Sequence, residues 1–184
     1  MKQQYEQRVM ETKKKIYDAF ACLMRRKSIH QISISELCQL AEINRSTFYH
    51  HYGSQYDVLR EMTDLFLAQL EERLQNVSPY DKAGVQRRVE MCLDFAAENN
   101  DLTLLLMENT AGTDFAKRLF SLPKIEFLLN EKLSCIQDEA ERQASISFVT
   151  YGAYQLLLEW LNTPERVSAK QEAELILKLA RKIC

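Results

Sequence analysis

The sequence predicts an all-α protein, in which an N-terminal three-helix domain is joined by a long helix to a C-terminal helical bundle, with about nine helices in total. Three observations predict this class. Gly and Pro are scarce, at 4 and 3 of 184 residues, so turns are few and short. Apolar residues recur at helical spacing along most of the chain. Hydrophobic residues make up 46% of it, which is enough for a core and argues against disorder.

The first helices of the chain are short and closely spaced. A helix is predicted over 9–26, with Lys13, Lys14 and Lys15 turned towards solvent or towards phosphate. Ser33 and the glutamate three residues later form a capping box that opens a short helix, and a turn at 42–44 leads to a second short helix over 45–50. This arrangement is typical of a helix-turn-helix, over about 33–52. Its predicted core consists of Ile34, Leu37, Ala41, Ile43 and Phe48.

The second short helix carries polar and aromatic side chains on its outer side. These are Arg45, Ser46, Thr47, Tyr49 and His50. Short donors and acceptors, a forked cation and flat rings can reach phosphates and base edges in a major groove. The spacing alone is equally compatible with the polar corner of an ordinary three-helix bundle. Four rings within 48–52 favour the DNA-contacting interpretation, because a core does not require them on so short a helix.

Beyond residue 54 the pattern stays helical, which divides the chain into domains 1–54 and 55–184. The predicted helices cover 55–76, 81–99, 101–108, 114–136 with a kink or break at Pro123, 140–162 and 168–183. The segment 146–161 is apolar nearly all round, so it must be buried on two sides. It either lies at the centre of its own domain or packs against a second subunit. The residues expected at a subunit interface are Ile146, Val149, Ala153, Leu156, Trp160, Leu175 and Leu179.

The net charge of −2 hides an asymmetry along the chain. Residues 1–60 hold 10 Lys and Arg against 6 Asp and Glu, a balance of +4, whereas 61–184 hold 14 against 20, a balance of −6. Such a split favours a nucleic-acid-facing or membrane-facing module joined to a different one. No segment is apolar for long enough to cross a membrane, and five scattered Cys without a CxxC pair indicate a reducing cytoplasm.

The run 44–52, Asn-Arg-Ser-Thr-Phe-Tyr-His-His-Tyr, resembles the signature of the TetR (tetracycline-repressor-like) family of bacterial transcriptional regulators. The resemblance covers roughly 10–60. It implies that Phe48 and Tyr52 pack the second helix inward. Two positions depart from the family pattern: Glu42 stands where a turn Gly is usual, and Gln55 where a Lys is usual. The DNA-contacting residues that the resemblance implies are Ser35, Arg45, Ser46, Thr47, Tyr49, His50 and Gln55.

The same resemblance implies a homodimer that binds double-stranded DNA at a palindromic operator. It also implies a small-molecule effector, of unidentified chemistry, held within the C-terminal bundle. The residues expected to line the effector pocket are Phe95, Leu105, Met107, Phe120, Phe127, Phe148, Tyr151 and Tyr154. The resemblance therefore predicts a transcriptional regulator. It would act as a repressor and leave the DNA when its effector binds. The alternative is a helical protein–protein adaptor whose helix-turn-helix does not bind DNA.

Catalytic, cofactor and metal chemistry have no support in the sequence. It contains no Gly-rich phosphate loop and no nucleophile motif, so we expect neither an enzyme nor a cofactor. His50 and His51 are adjacent on a helix and point about 100° apart. They cannot easily share one ion with Cys38, so we expect no metal site.

Overall fold

A computed structural model describes residues 2–75, 82–109 and 113–182, and every regular element within these ranges is helical. The α-helices are α1 (Lys2–Met24), α2 (Ile34–Leu40), α3 (Arg45–His51), α4 (Gln55–Leu74), α5 (Lys82–Glu98), α6 (Asn100–Asn109), α7 (Thr113–Phe120), α8 (Pro123–Lys132), α9 (Glu139–Asn162) and α10 (Ala169–Ala180). A short 3₁₀ helix, Ile29–Gln31, precedes α2. The all-α class is confirmed. The predicted helix boundaries at 76, 81 and 183 lie outside the described residues.

Two elements differ from the prediction. The predicted helix over 114–136 is two helices, because α7 ends at Phe120 and Pro123 is the first residue of α8, where its missing N–H costs nothing. The described ranges therefore hold ten α-helices rather than about nine. The first helix begins at Lys2 instead of residue 9. Residues 4–8 of this helix are solvent-exposed and form no apolar stripe, so the periodicity does not reveal them.

The chain divides into two compact units. The head unit is Met1–Phe66 and the body unit is Leu67–Cys184. The division falls within α4, whereas the sequence predicts a boundary between residues 54 and 55. Val58 and Met62 of α4 are buried, which explains why the N-terminal part of this helix belongs with the head unit.

Each unit has its own apolar core. In the head unit, side chains from α1, α2 and α3 are completely buried: Ile16, Phe20, Leu37 and Phe48. In the body unit, the most extensive helix pair is α5 against α10, and further buried side chains come from α6, α7 and α9. Ser168 and Gln171 form the predicted capping box at the start of α10. Ser33 accepts a hydrogen bond from the Glu36 N–H at 3.2 Å, while the Glu36 carboxylate binds Lys27 instead of closing a box.

The turn between α2 and α3 sets the angle of the helix-turn-helix. Glu42 has a φ of 54°, the left-handed conformation that glycine adopts most readily. The N–H of Ile43 donates to the Cys38 carbonyl at 3.0 Å, and that of Glu42 to the Gln39 carbonyl at 3.3 Å. These two bonds form a Schellman motif, which satisfies the last carbonyls of α2. The turn thus keeps the geometry that a Gly would favour, although a Glu occupies it.

We predict that Glu42→Gly stabilises the protein by about 0.5–1 kcal/mol, because Gly removes the steric cost of the left-handed conformation. Urea unfolding followed by circular dichroism measures this change. The control is Gln39→Gly, at an exposed right-handed position of α2, which should destabilise by about 1 kcal/mol. A Glu42→Gly variant that unfolds at lower urea than the unmodified protein contradicts the prediction.

Candidate nucleic-acid interface

The outer side of α3 presents polar and aromatic side chains to solvent. Arg45, Ser46, Tyr49 and His50 are exposed, with Tyr49 at 58%, and Thr47 is half-buried. The Tyr49 ring meets the edge of Phe48, with ring centroids 5.6 Å apart, so it is anchored at its base while its hydroxyl remains accessible. This side of α3 therefore offers hydrogen-bond donors and acceptors of the kinds that contact DNA backbones and base edges.

The other two residues predicted to contact DNA lie on neighbouring helices of the head unit. Ser35 is exposed in the first turn of α2, and Gln55 is half-buried as the first residue of α4. Both stand near helix N-termini, where free N–H groups favour anions. The structure thus places every predicted DNA-contacting residue within α2, α3 or the start of α4, and makes most of them accessible.

The inner side of α3 packs into the head unit. Phe48 is completely buried and Tyr52, the residue that ends α3, is 6% exposed. They join Leu37 and Ala41 of the predicted core, which are buried as well. Ile34 and Ile43, also predicted for this core, are only half-buried. A helix of seven residues is not stable alone, so this packing holds α3 in place.

A polar cluster fixes the C-terminal end of α3. Tyr52 donates a hydrogen bond from its hydroxyl to the Glu61 carboxylate on α4. Tyr17 of α1 donates to the same carboxylate at 2.7 Å, and the Lys13 ammonium does so at 2.6 Å. Lys13 also lies over the Tyr52 ring, 5.5 Å from its centroid. We call these four residues the Glu61 network; it ties α1, α3 and α4 together at one carboxylate.

The Glu61 network shifts the pKa of its members. Burial opposes the charge on Glu61, but hydrogen bonds from Lys13, Tyr52 and Tyr17 hold the pKa of its carboxyl below the usual range. Burial raises the pKa of Tyr17 to about 12, with the Glu61 charge adding to the effect. Burial and the bond to Glu61 also raise the pKa of Tyr52. The carboxylate stays ionised and both phenols stay protonated at neutral pH, which is the state that the hydrogen bonds require.

The network also corrects the interpretation of the three lysines on α1. Lys13 is turned towards Glu61, and its side chain is only 30% exposed, instead of facing solvent or phosphate. Lys14 pairs with Asp18 at 2.7 Å on the exposed side, and Lys15 is exposed. Glu61 itself was missed by sequence reasoning. Its only signal is a charge at the edge of the apolar stripe of α4, which is common on amphipathic helices.

The body unit contains a cavity of about 380 Å³. Its wall is formed by residues of α5, α7, α8, α9 and α10, together with Leu74 at the end of α4. Of the residues predicted to line a pocket, Phe120 does so. Phe95, Leu105 and Met107 are buried elsewhere in the core, and Tyr154 donates to the Met107 carbonyl at 3.0 Å. The side chain of Phe127 lies outside the described part.

Several residues of α9 lie elsewhere than the sequence predicts. Phe148 and Tyr151, predicted for the pocket, are 70% and 40% exposed, whereas Val149 and Ala153, predicted for a subunit interface, line the cavity. Trp160 is buried and donates to the Val167 carbonyl at 2.9 Å within its own chain. Over 146–161, helix α9 is apolar nearly all round, so its sequence does not indicate which side faces inward. The remaining residues predicted for the interface lie as follows: Ile146 and Leu156 are half-buried, and Leu175 and Leu179 are 42% and 41% exposed.

Metal-binding clusters and membrane spans were also sought in the described ranges. Within 2–75, 82–109 and 113–182, no three His, Cys, Asp or Glu side chains are grouped so that they could hold a metal ion. None of the helices in these ranges has the length and hydropathy needed to cross a membrane.

The fold contains a helix-turn-helix, formed by α2 and α3, whose second helix has an accessible polar outer side. Solved structures specify the fold further. A TetR transcriptional regulator from Streptococcus agalactiae matches with a TM-score of 0.75 and 19% identity, over 98% of this chain and 99% of that one. FadR from Thermus thermophilus, a TetR-family repressor in complex with lauroyl-CoA, matches with a TM-score of 0.58 and 19% identity, over 92% and 93%. The chain has the fold of TetR-family transcriptional regulators, and the resemblance seen in the sequence is confirmed.

Sequence comparison gives a match over part of the chain. A transcriptional activator of the dhaKLM operon, DhaS from Lactococcus lactis, is 34% identical over 88 residues, which is 48% of this chain and 44% of that protein. The match thus spans less than half the length of this relative. A solved structure of DhaS has a TM-score of 0.56 and 22% identity, over 93% of this chain and 94% of that one. No family model matches the chain.

We predict that Tyr52→Phe destabilises the head unit by about 1–2 kcal/mol at neutral pH, because it removes a hydrogen bond to a carboxylate. The matched control is Tyr56→Phe, which removes a hydroxyl that lies 2.7 Å from Nδ1 of His30. Because Tyr56 is 47% exposed, loss of this hydroxyl should cost less than about 0.5 kcal/mol. Urea unfolding measures both, and equal destabilisation by the two variants contradicts the role of the Glu61 network.

The lowered pKa of Glu61 makes the stability of the protein depend on pH. A carboxyl group with a lowered folded pKa contributes stability above its unfolded pKa and loses it as the pH falls through the folded value. The stability difference between the unmodified protein and Glu61→Gln should therefore be largest at neutral pH and shrink below about pH 4.5. A difference that does not depend on pH contradicts this assignment.

Proposed function

We propose that the protein is a homodimeric, sequence-specific DNA-binding transcriptional regulator, a repressor that a small-molecule effector releases from a palindromic operator. The observation that carries the proposal is the contrast between the outer and inner sides of α3. Its outer side exposes Arg45, Tyr49 and His50, while its inner side is buried at Phe48 and fixed at Tyr52. A rigidly held helix with accessible polar groups is what major-groove recognition needs.

The charge distribution supports the DNA-binding role. Residues 1–60 have a balance of +4 and 61–184 a balance of −6. Phosphates attract the first part and repel the second, so the duplex is directed to the helix-turn-helix. The adaptor alternative has no comparable support, because an adaptor does not need this combination of charge and exposed outer residues.

An exposed apolar surface supports the homodimer. Phe148 and Tyr151 of α9 and Leu175 and Leu179 of α10 are all at least 40% exposed. Gly152 lies among them, and a Cβ added there would meet no atom within 4 Å. A mid-helix Gly costs about 1 kcal/mol relative to Ala, which close approach of another helix would offset. We call this surface the α9–α10 face and propose that it contacts a second copy, in place of the more buried α9 residues that the sequence suggested.

Continuity of α4 supports effector control. This helix carries Glu61, which fixes the end of α3, and Leu74, which lines the cavity. A ligand that displaces Leu74 therefore acts on the helix that also carries Glu61. In a dimer, effector control requires a change in the spacing of the two half-site contacts, which is about 34–36 Å on B-DNA. Structural similarity to FadR, which was solved in complex with lauroyl-CoA, supports a small-molecule ligand.

We predict that Thr47→Ala combined with Tyr49→Ala lowers operator affinity at least tenfold or so, because each lost base-edge contact costs about 1–3 kcal/mol. Fluorescence anisotropy with a labelled operator, obtained by selection from random DNA, measures the affinity. The control is Tyr5→Ala on α1, where the side chain is 61% exposed and so resembles Tyr49 in accessibility. Unchanged affinity in the double variant contradicts the assignment of α3.

The same double variant tests repression in cells. If the protein represses, a reporter under the operator-bearing promoter is low with the unmodified protein and rises with the variant. A reporter that falls with the variant identifies an activator, as the name of DhaS states for that relative, and overturns the repressor assignment.

We predict that Phe148→Asp converts the dimer to a monomer, because it places a charge on the α9–α10 face. Light scattering after size-exclusion chromatography should show the mass falling from twice 21.5 kDa to 21.5 kDa. The control is Met10→Asp on α1, at a residue that is 71% exposed compared with 70% for Phe148. A variant that keeps the mass of the unmodified protein contradicts the proposed interface.

A further inference from the structure

The lining of the body-unit cavity is mostly apolar. Among the described residues that line it, all except Arg88 and Arg181 are apolar, with Cys92 counted as a small hydrophobe. Its volume of about 380 Å³ lies at the lower end of the range for small-molecule pockets. The occupant must therefore be small and mostly apolar. Each methylene that it buries improves affinity by about fourfold.

Among the described lining residues, the charged side chains are both arginines, and guanidinium groups keep their charge at any physiological pH. Burial raises the pKa of the Cys92 thiol to about 12, although the nearby Arg88 charge favours the thiolate, so Cys92 is neutral. Apolar walls strengthen the potential of the Arg181 guanidinium. Such a cavity attracts an anion and disfavours a cation of the same shape.

The two arginines differ in their surroundings. Arg88 is 2% exposed, and its Nη1 donates to the Lys124 carbonyl at 3.2 Å. Arg181 is exposed, yet it also lines the cavity, so it lies where the cavity meets solvent. An anionic head group next to Arg181 can keep part of its hydration, which avoids the large cost of burying a charge.

We infer that this cavity binds an amphipathic carboxylate, with its aliphatic chain against the apolar lining and its carboxylate against the Arg181 guanidinium. The inference deepens the proposed function, since it rests on the cavity being the effector site and names the chemical class of the effector. The planar guanidinium fork matches a carboxylate with two parallel hydrogen bonds.

The test uses the full-length protein and titration calorimetry with octanoate, 1-octanol and octylammonium, which share a chain and differ in head-group charge. Octanoate should bind at least tenfold or so more tightly than the other two, as expected for a charge-assisted hydrogen bond. Arg181→Gln should abolish this preference and leave 1-octanol binding unchanged. Lys182→Gln is the matched control, because it removes an exposed cation at the same helix end that does not line the cavity.

A second variant locates the ligand. Ala153→Phe fills the cavity from α9 and should abolish binding of octanoate and 1-octanol alike, with circular dichroism showing that the helices are intact. The inference is overturned if octanoate does not bind, if 1-octanol or octylammonium binds as tightly as octanoate, if Arg181→Gln keeps the preference, or if Ala153→Phe keeps octanoate binding.

A measurement of operator release distinguishes a failure of effector control from a failure of the ligand class. Octanoate that binds with the expected preference but leaves operator affinity unchanged overturns effector control and supports the ligand class. Release of the operator by 1-octanol as effectively as by octanoate supports effector control and overturns the ligand class.

Discussion

The position of α3 depends on one carboxylate. This helix has seven residues, too few to be stable by its own hydrogen bonds, and most side chains on its outer side are exposed. Phe48 anchors it in the core, and Tyr52 attaches its end to Glu61. Because Glu61 also binds Lys13 and Tyr17, the same group fixes α1, α3 and α4. Without this constraint, α3 would be held by the packing of Phe48 but would lose the attachment of its C-terminal end.

The constraint also gives the head unit a link to the rest of the chain. Glu61 lies on α4, and α4 continues without a break to Leu74 at the cavity wall. A helix transmits a displacement along its axis better than a flexible linker does, because its backbone hydrogen bonds resist bending. The absence of a Gly- or Ser-rich linker between 55 and 74, visible in the sequence, therefore has a functional meaning under the proposed regulation.

Sequence reasoning succeeds in the head unit, where local chemistry decides the structure. The cap at Ser33, the turn at Glu42 and the burial of Phe48 follow from residue type and spacing over a few positions. It fails for the Glu61 network, because the partners Lys13 and Tyr17 lie far from Glu61 in sequence and carry no shared pattern.

In the body unit, a different property of the sequence limits what can be predicted from it. Over 146–161, helix α9 is apolar nearly all round, so its periodicity predicts burial without direction. Val149, predicted for the subunit interface, lines the cavity, and Phe148, predicted for the pocket, is exposed. The cavity itself arises where α5, α7, α8, α9 and α10 fail to fill the space between them, which depends on three-dimensional packing and not on any single segment.

Under the proposed function, a firmly held α3 on a twofold-symmetric protein recognises a palindromic operator. Selection of bound sequences from random double-stranded DNA, using the unmodified protein, tests this recognition. We expect enrichment of an inverted repeat whose half-sites are about one helical turn, or a multiple of it, apart. Enrichment of no sequence, or of a single site without inverted symmetry, would contradict it.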